Sequence, residues 1–190
     1  MTPEETLKLT TKYLKNLEAM KTHYVAVGLP AGKVGNATND DGTSIIEIGA
    51  AHEFGAEIDH PGGTGYMAMG GKATFTKNSL MGPVSGFTAA HTITLPERSF
   101  LRAPFTLKKS EINRAIEKAC EAVGSGKMDA TTALNLIGAT ARNISVKAFE
   151  TGGYGTWPDI TEATKKAKGS SAILIDKGQL RGTITWEVRK

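Results

Sequence analysis

Two stretches of helical periodicity follow one another in the second half of this chain, and the rest of the fold has to be built around them. Ile112, Ala115, Ile116, Ala119 and Val123 recur at three- and four-residue spacing until Gly124. Asp129 then caps a longer run in which Ala133, Leu134, Ile137, Ala141, Ile144 and Ala148 share one face, closed by Gly152 and Gly153. A third helix is expected over residues 3–21: Thr2, Pro3 and Glu5 form a capping box, and Leu9, Tyr13, Leu17 and Met20 repeat behind it. Shorter helices are expected over residues 44–53 and 161–168. Strand signals are scattered. Residues 24–29 run apolar up to Pro30, residues 91–95 alternate up to Pro96, and residues 181–190 set Ile184, Trp186 and Val188 opposite Thr183, Thr185 and Glu187. No regular strand–helix–strand rhythm links them. The reading is therefore α+β: a small, mainly antiparallel sheet packed by the two long helices, plus the N-terminal helix, in one domain over residues 1–190.

Glycine is the outlier in composition. The chain has 22, and they cluster between Gly28 and Gly86. Residues 56–90 read as a long irregular Gly-rich insertion around a possible strand at 73–77. That insertion is apolar for a free linker. Tyr66, Met67, Met69, Phe75, Leu80, Met81 and Phe87 are side chains that interface cores favour, and they fit either a subunit or partner interface or burial on the chain's own sheet.

The formal net charge is +4 and is unevenly spread: residues 1–100 hold 8 basic and 10 acidic side chains, residues 101–190 hold 15 and 9. Lys108, Lys109, Arg114 and Lys118 are candidates for contact with DNA or an acidic surface; the alternative is the solvent side of an amphipathic helix, since Glu111 and Glu117 are mixed among them. Cys120 is the single cysteine and is expected to be a buried structural thiol. No run approaches the ~18 apolar residues of a membrane span.

Enzymatic chemistry finds little support. His52, Glu53 and His60 resemble a zinc protease only loosely, because the second histidine stands eight residues on and beyond Gly55, which breaks the one-face geometry. Asp59 or His91 as a third ligand is not implied by spacing. Gly62, Gly63, Thr64 and Gly65 lack the Lys-Ser/Thr helix start of a phosphate loop. No catalytic, metal or cofactor residues are assigned, and the chain is expected not to be an enzyme. A metal-dependent hydrolase using His52, Glu53 and His60 remains the remote alternative.

Three segments resemble the virion-morphogenesis and tail-completion family of tailed bacteriophages. The first is Ile48–Ala56 with His60–Thr64. The second is His91–Arg102. The third is Trp157-Pro158 leading to Leu174–Ile184. The sequence departs from the family's common residues at Glu97, Ser99, Lys177 and Thr183. The resemblance implies a structural protein of the virion, assembled in the host bacterial cytoplasm. It would act at the head-proximal end of the tail, in tail completion or head–tail joining in the neck. It implies no cofactor and no membrane. The partners implied are copies of the chain in a hexameric ring, and neighbouring tail terminator, tail tube or head-connector proteins. Tail terminator or head-closure adaptor, with non-specific DNA contact in the channel, are the alternatives.

Overall fold

In a computed structural model the chain is described at residues 2–39, 42–69, 72–75, 85–175 and 178–190, with backbone alone at 67–69, 72–75 and 167–168. In order the elements are α1 (Pro3–Thr22), β1 (Tyr24–Gly28), α2 (Ala31–Val34), α3 (Ile45–Phe54), β2 (Ala56–His60), β3 (Gly65–Met69), β4 (Lys72–Phe75), β5 (Gly86–Phe87) and β6 (His91–Leu95). There follow α4 (Arg102–Leu107), α5 (Lys109–Gly124), α6 (Ala130–Glu150), α7 (Gly152–Gly155), α8 (Glu162–Lys168), α9 (Gln179–Thr183) and β7 (Thr185–Arg189). The fold is α+β, and every strand pairing among the described residues is antiparallel. The expected single sheet is three small ones, β1-β7, β2-β6 and β4-β3-β5. The chain divides into two compact units, residues 1–54 with 97–190, and residues 55–96.

The first unit is organised by α6. One side of this helix packs across the β1-β7 pair, whose register runs from Tyr24↔Arg189 to Gly28↔Thr185. Its other side receives α5 and α1. Only α6 was needed to cover the sheet; α5 lies on α6 and meets α1 and α4, which corrects the expectation that both long helices sit on the sheet. The main core joins Ile45, Phe100, Ala148, Phe149, Trp157, Leu180 and Ile184, with Phe149 tilted on Phe100 and edge-on to Trp157. A second cluster, Ala119, Val123 and Ala133 with Met20, Met128 and Ile137, glues α1, α5 and α6 together. The buried stripe of α5 follows Ala119 and Val123, and Cys120 falls off it: the thiol is exposed, not buried.

The second unit is a ribbon. β2 and β6 pair from Ala56↔Leu95 to His60↔His91, and β3 pairs with both β4 and β5. The sequence reading had this stretch irregular, apart from the strand near residue 73 and that at residues 91–95. β2 went unseen because most of its residues are exposed, so no buried face imposes alternation on it. Residues 76–77 of the expected strand lie outside the described residues. Among the described residues no helix is long and apolar enough to cross a membrane.

One close approach fixes how α6 meets the sheet. A Cβ at Gly138 would lie 2.2 Å from the Trp186 ring, so only glycine lets the indole lie on the helix backbone. There Trp186 Nε1 donates to Asn135 Oδ1 at 3.0 Å. Gly138→Ala is expected to overpack this contact and cost about 1–3 kcal/mol, read as a lower urea midpoint for unfolding.

Candidate functional site

Glutamate near the C-terminus of a helix is misplaced, because the helix dipole repels a carboxylate there. Glu53 occupies that position in α3 and is only 4% exposed. Its carboxylate is satisfied from outside the helix. Oε1 accepts Ser99 Oγ–H at 2.8 Å, Arg102 N–H at 3.0 Å and Arg102 Nε–H at 3.1 Å. Oε2 accepts the N–H groups of Phe100 at 2.8 Å and Leu101 at 3.0 Å. The N–H groups of Leu101 and Arg102 are donors that a helix leaves unpaired as it begins, and α4 begins here. Ser99 serves twice: its hydroxyl donates to Glu53 and accepts Ala103 N–H at 2.9 Å. An acid that ends one helix thereby starts another, 49 residues further along for its Arg102 bonds.

The neighbouring residues extend the network. Arg102 Nη2 donates to Glu53 O at 2.8 Å and to Glu97 Oε1 at 2.9 Å, and its guanidinium stands 4.4 Å from the Phe54 ring centroid. Arg98, 6% exposed, bonds through its backbone N–H to His52 O at 2.7 Å. Its side chain bonds Pro158 O at 3.0 Å and Asp159 O at 3.2 Å. Trp157 Nε1 donates to Ser99 O, and Ser145 Oγ to Phe100 O. Residues 98–102 are thus tied by backbone and side-chain bonds to α3, α6 and the stretch 157–159.

Trp157 reaches this place through α7, which is a left-handed turn. Gly152, Gly153, Tyr154 and Gly155 have φ of 57, 68, 59 and 84. Left-handed backbone costs an ordinary residue roughly 1–2 kcal/mol, so the three glycines are required and Tyr154 is strained. Tyr154 is held by its hydroxyl on Ile144 O at 2.9 Å and by Lys108 Nζ, 4.8 Å from its ring centroid. The indole of Trp157 lies directly on Gly153, where a Cβ would come within 2.2 Å.

The histidines take different roles. His52 Nδ1 is buried with no hydrogen-bond partner, and burial, then the nearby Arg98 charge, holds the ring's pKa below the ordinary 6.5. His60 and His91 stack across β2 and β6 with centroids 5.0 Å apart. His60 Nδ1 accepts Gly62 N–H at 3.0 Å, which places its own proton on Nε2 and leaves that nitrogen no lone pair for a metal. His91 Nδ1 faces Ala89 O at 2.9 Å, and Asp59 accepts from Thr92. His52 and Glu53 belong to the first unit and His60 to the second. Glu53, the base of a hydrolase reading, has both oxygens occupied. Among the described residues no group of three or more His, Cys, Asp or Glu is placed to hold a metal.

Of the seven interface candidates, Tyr66 is half-buried in β3, paired in register with Phe75 and Gly86, and Phe87 is exposed in β5. Met67 and Met69 belong to β3 and Phe75 to β4 by backbone; Leu80 and Met81 lie outside the described residues. The four basic candidates do not form one patch. Lys108 is engaged on Tyr154, while Lys109, Arg114 and Lys118 are exposed. Arg114 and Lys118 share a face of α5, and Lys109 projects from the other side of the helix. A shallow cavity of about 440 Å³ beside the network is lined by Glu97, Ser99, Arg102, Thr106, Leu107 and Thr156 among others. Its hydroxyls are engaged within the protein: Ser99 with Glu53, Thr106 with Arg102 O, and Thr156 with Gly153 O.

Comparison with known proteins gives no match to a family model, to a curated protein or to a solved structure.

Glu53→Gln replaces one acceptor oxygen by an NH₂ group that faces N–H or O–H donors. The expected loss is about 3–5 kcal/mol of stability, measured by urea unfolding, with Ser99→Ala losing less. The lowered His52 pKa sets a sign for acid. Between the folded value and 6.5 the unfolded chain binds more protons, so stability is full above about pH 6.5 and falls as pH drops below it. Unfolding midpoints from pH 7.5 to pH 5 should fall more steeply in the wild type than in His52→Gln.

Proposed function

We propose that this chain is a structural assembly protein of a tailed bacteriophage, acting at the head-proximal end of the tail in tail completion and head–tail joining. Copies are arranged as a ring, hexameric in this reading, against tail terminator, tail tube or head-connector neighbours. The observation that supports the reading is where the three phage-like segments meet. Glu53 from the first, Arg98 to Arg102 from the second and Trp157 to Asp159 at the start of the third bond directly to one another. The polar residues that look most like chemistry in the sequence are spent on holding a scaffold. In this reading the first unit fixes shape and the inserted strand unit offers surface to neighbours, and a head-to-tail contact between copies closes into a ring.

The hub gives the proposal a clean test. Arg98 N–H bonds His52 O, so the chain leaves for the insertion and returns from it at one point of the first unit. Replacing residues 55–96 by a Gly/Ser linker of about four residues is expected to leave a cooperatively folding protein that no longer enters particles. Electron cryomicroscopy of wild-type virions should then show the chain as a ring at the head–tail junction. A ring elsewhere in the virion, or absence from it, sinks the proposal. The layer occupied distinguishes tail completion from the terminator and head-closure alternatives.

A further inference from the structure

The ribbon formed by β2 and β6 has two long edges, and they are not alike. Among the described residues these two strands pair only with each other, so each carries a free edge of outward N–H and C=O groups. An open edge accepts a further strand unless something blocks it, and charged side chains or proline are the usual blocks. β2 is blocked by Glu57 and Asp59, both exposed. β6 is His-Thr-Ile-Thr-Leu: it holds no Asp, Glu, Lys, Arg or Pro, and its Thr92, Ile93 and Thr94 are β-branched and exposed. A ribbon of two strands is at most marginally stable, and three or more strands make a sheet that holds.

We propose that the free edge of β6 pairs antiparallel with β6 of a second copy, about a two-fold axis at Ile93, to give a four-stranded sheet in the order β2-β6-β6-β2. In this register Ile93 of one copy faces Ile93 of the other, His91 faces Leu95, and Thr92 faces Thr94. The threonines are what select a second copy. Thr92 Oγ1 donates its one proton to Asp59 Oδ1 at 2.9 Å, so toward a further partner it can only accept. The Thr94 hydroxyl has no partner among the described residues and is free to donate. The two-fold register sets this donor opposite that acceptor twice, at the distance where cross-strand threonines bond. Two other pairings of the same ribbon fit worse. β2 on β2 about Ile58 would set Glu57 opposite Asp59 twice, like charge against like charge. β2 of one copy on β6 of the next would leave Thr92 between two Asp59 carboxylates with one proton for both, and would line up equivalent acids about 10 Å apart. In the β6–β6 pair the β2 strands lie outermost, so their acids are about 14 Å apart, beyond the screening length of roughly 8 Å. A two-fold contact is not the head-to-tail contact of a ring, so the inference does not rest on the virion reading.

The test is sedimentation equilibrium of the full chain over about 1–500 μM, where a monomer–dimer equilibrium with a dissociation constant of about 10–100 μM is expected for so short a contact. Ile93→Lys and Ile93→Glu each set like charges across the axis, and each alone should weaken the dimer about tenfold or more. An equimolar mixture of the two variants should associate again, as a one-to-one dimer. Ile93 is exposed, and circular dichroism checks that both variants fold. Thr94→Val keeps the side-chain shape and removes the donor, so it reads the same contact without adding charge and should weaken the dimer several-fold. The proposal is overturned by a monomer at every concentration, by a dimer that neither Ile93→Lys nor Thr94→Val weakens, or by a charge-swapped mixture that stays monomeric. An assembly larger than a dimer that Ile93→Lys disperses would overturn it in favour of β2 on β6.

Discussion

A buried carboxylate with five donors around it is the contact on which the first unit depends. Burying an ion is costly unless its lone pairs are taken up, and Glu53 meets that condition with backbone N–H groups, a hydroxyl and a guanidinium. The arrangement solves two local problems together. The acid gains partners at the unfavourable end of α3, and the start of α4 gains a carboxylate acceptor for the N–H groups of Leu101 and Arg102, beside the local Ser99 hydroxyl that takes Ala103 N–H. Because the partners lie 46–49 residues apart, the contact also fixes the long-range geometry of the chain.

Other strained or crowded features lean on that arrangement. The left-handed turn at Gly152–Gly155 brings the chain back after α6, and its direction decides where Trp157 lands. Trp157 then bonds Ser99 O, one residue before Phe100, and completes the aromatic triad with Phe149. Arg98 holds the next two carbonyls, of Pro158 and Asp159, so the third segment is gripped from both sides. The price of the strain at Tyr154 is met by its hydroxyl on Ile144 O and by the cation of Lys108 over its ring.

What the sequence made legible was local. The capping box of α1, the Asp129 cap of α6 and the apolar stripes of α5 and α6 are written within a few residues of where they act. β6 and β7 likewise show their alternation. What stayed hidden depended on distant partners or on the lack of a buried face. β2 has one large apolar residue, Ile58, and an exposed ribbon does not require more. Glu53 looked like the end of an amphipathic helix, although an acid in a helix's last turn was itself a sign that its partner lay elsewhere. The splitting of Lys108 and Lys109 from Arg114 and Lys118 follows from α4 ending at Leu107, which turns Lys108 toward Tyr154. The convergence of segments read separately as phage-like is a three-dimensional fact that no spacing along the chain could announce.

The two chain crossings at Phe54–Gly55 and Pro96–Glu97 have a mechanical meaning. Any pull on residues 55–96 is delivered to the first unit at residues 54 and 97, and each of these is next to an anchor. Glu53 is held by Ser99 and the backbone of residues 100–102, and Arg98 by His52, Pro158 and Asp159. Force entering at either crossing therefore meets one of these anchors within a residue of where it arrives. The polar hub is, in that sense, the strain relief at the point where a cable enters its housing.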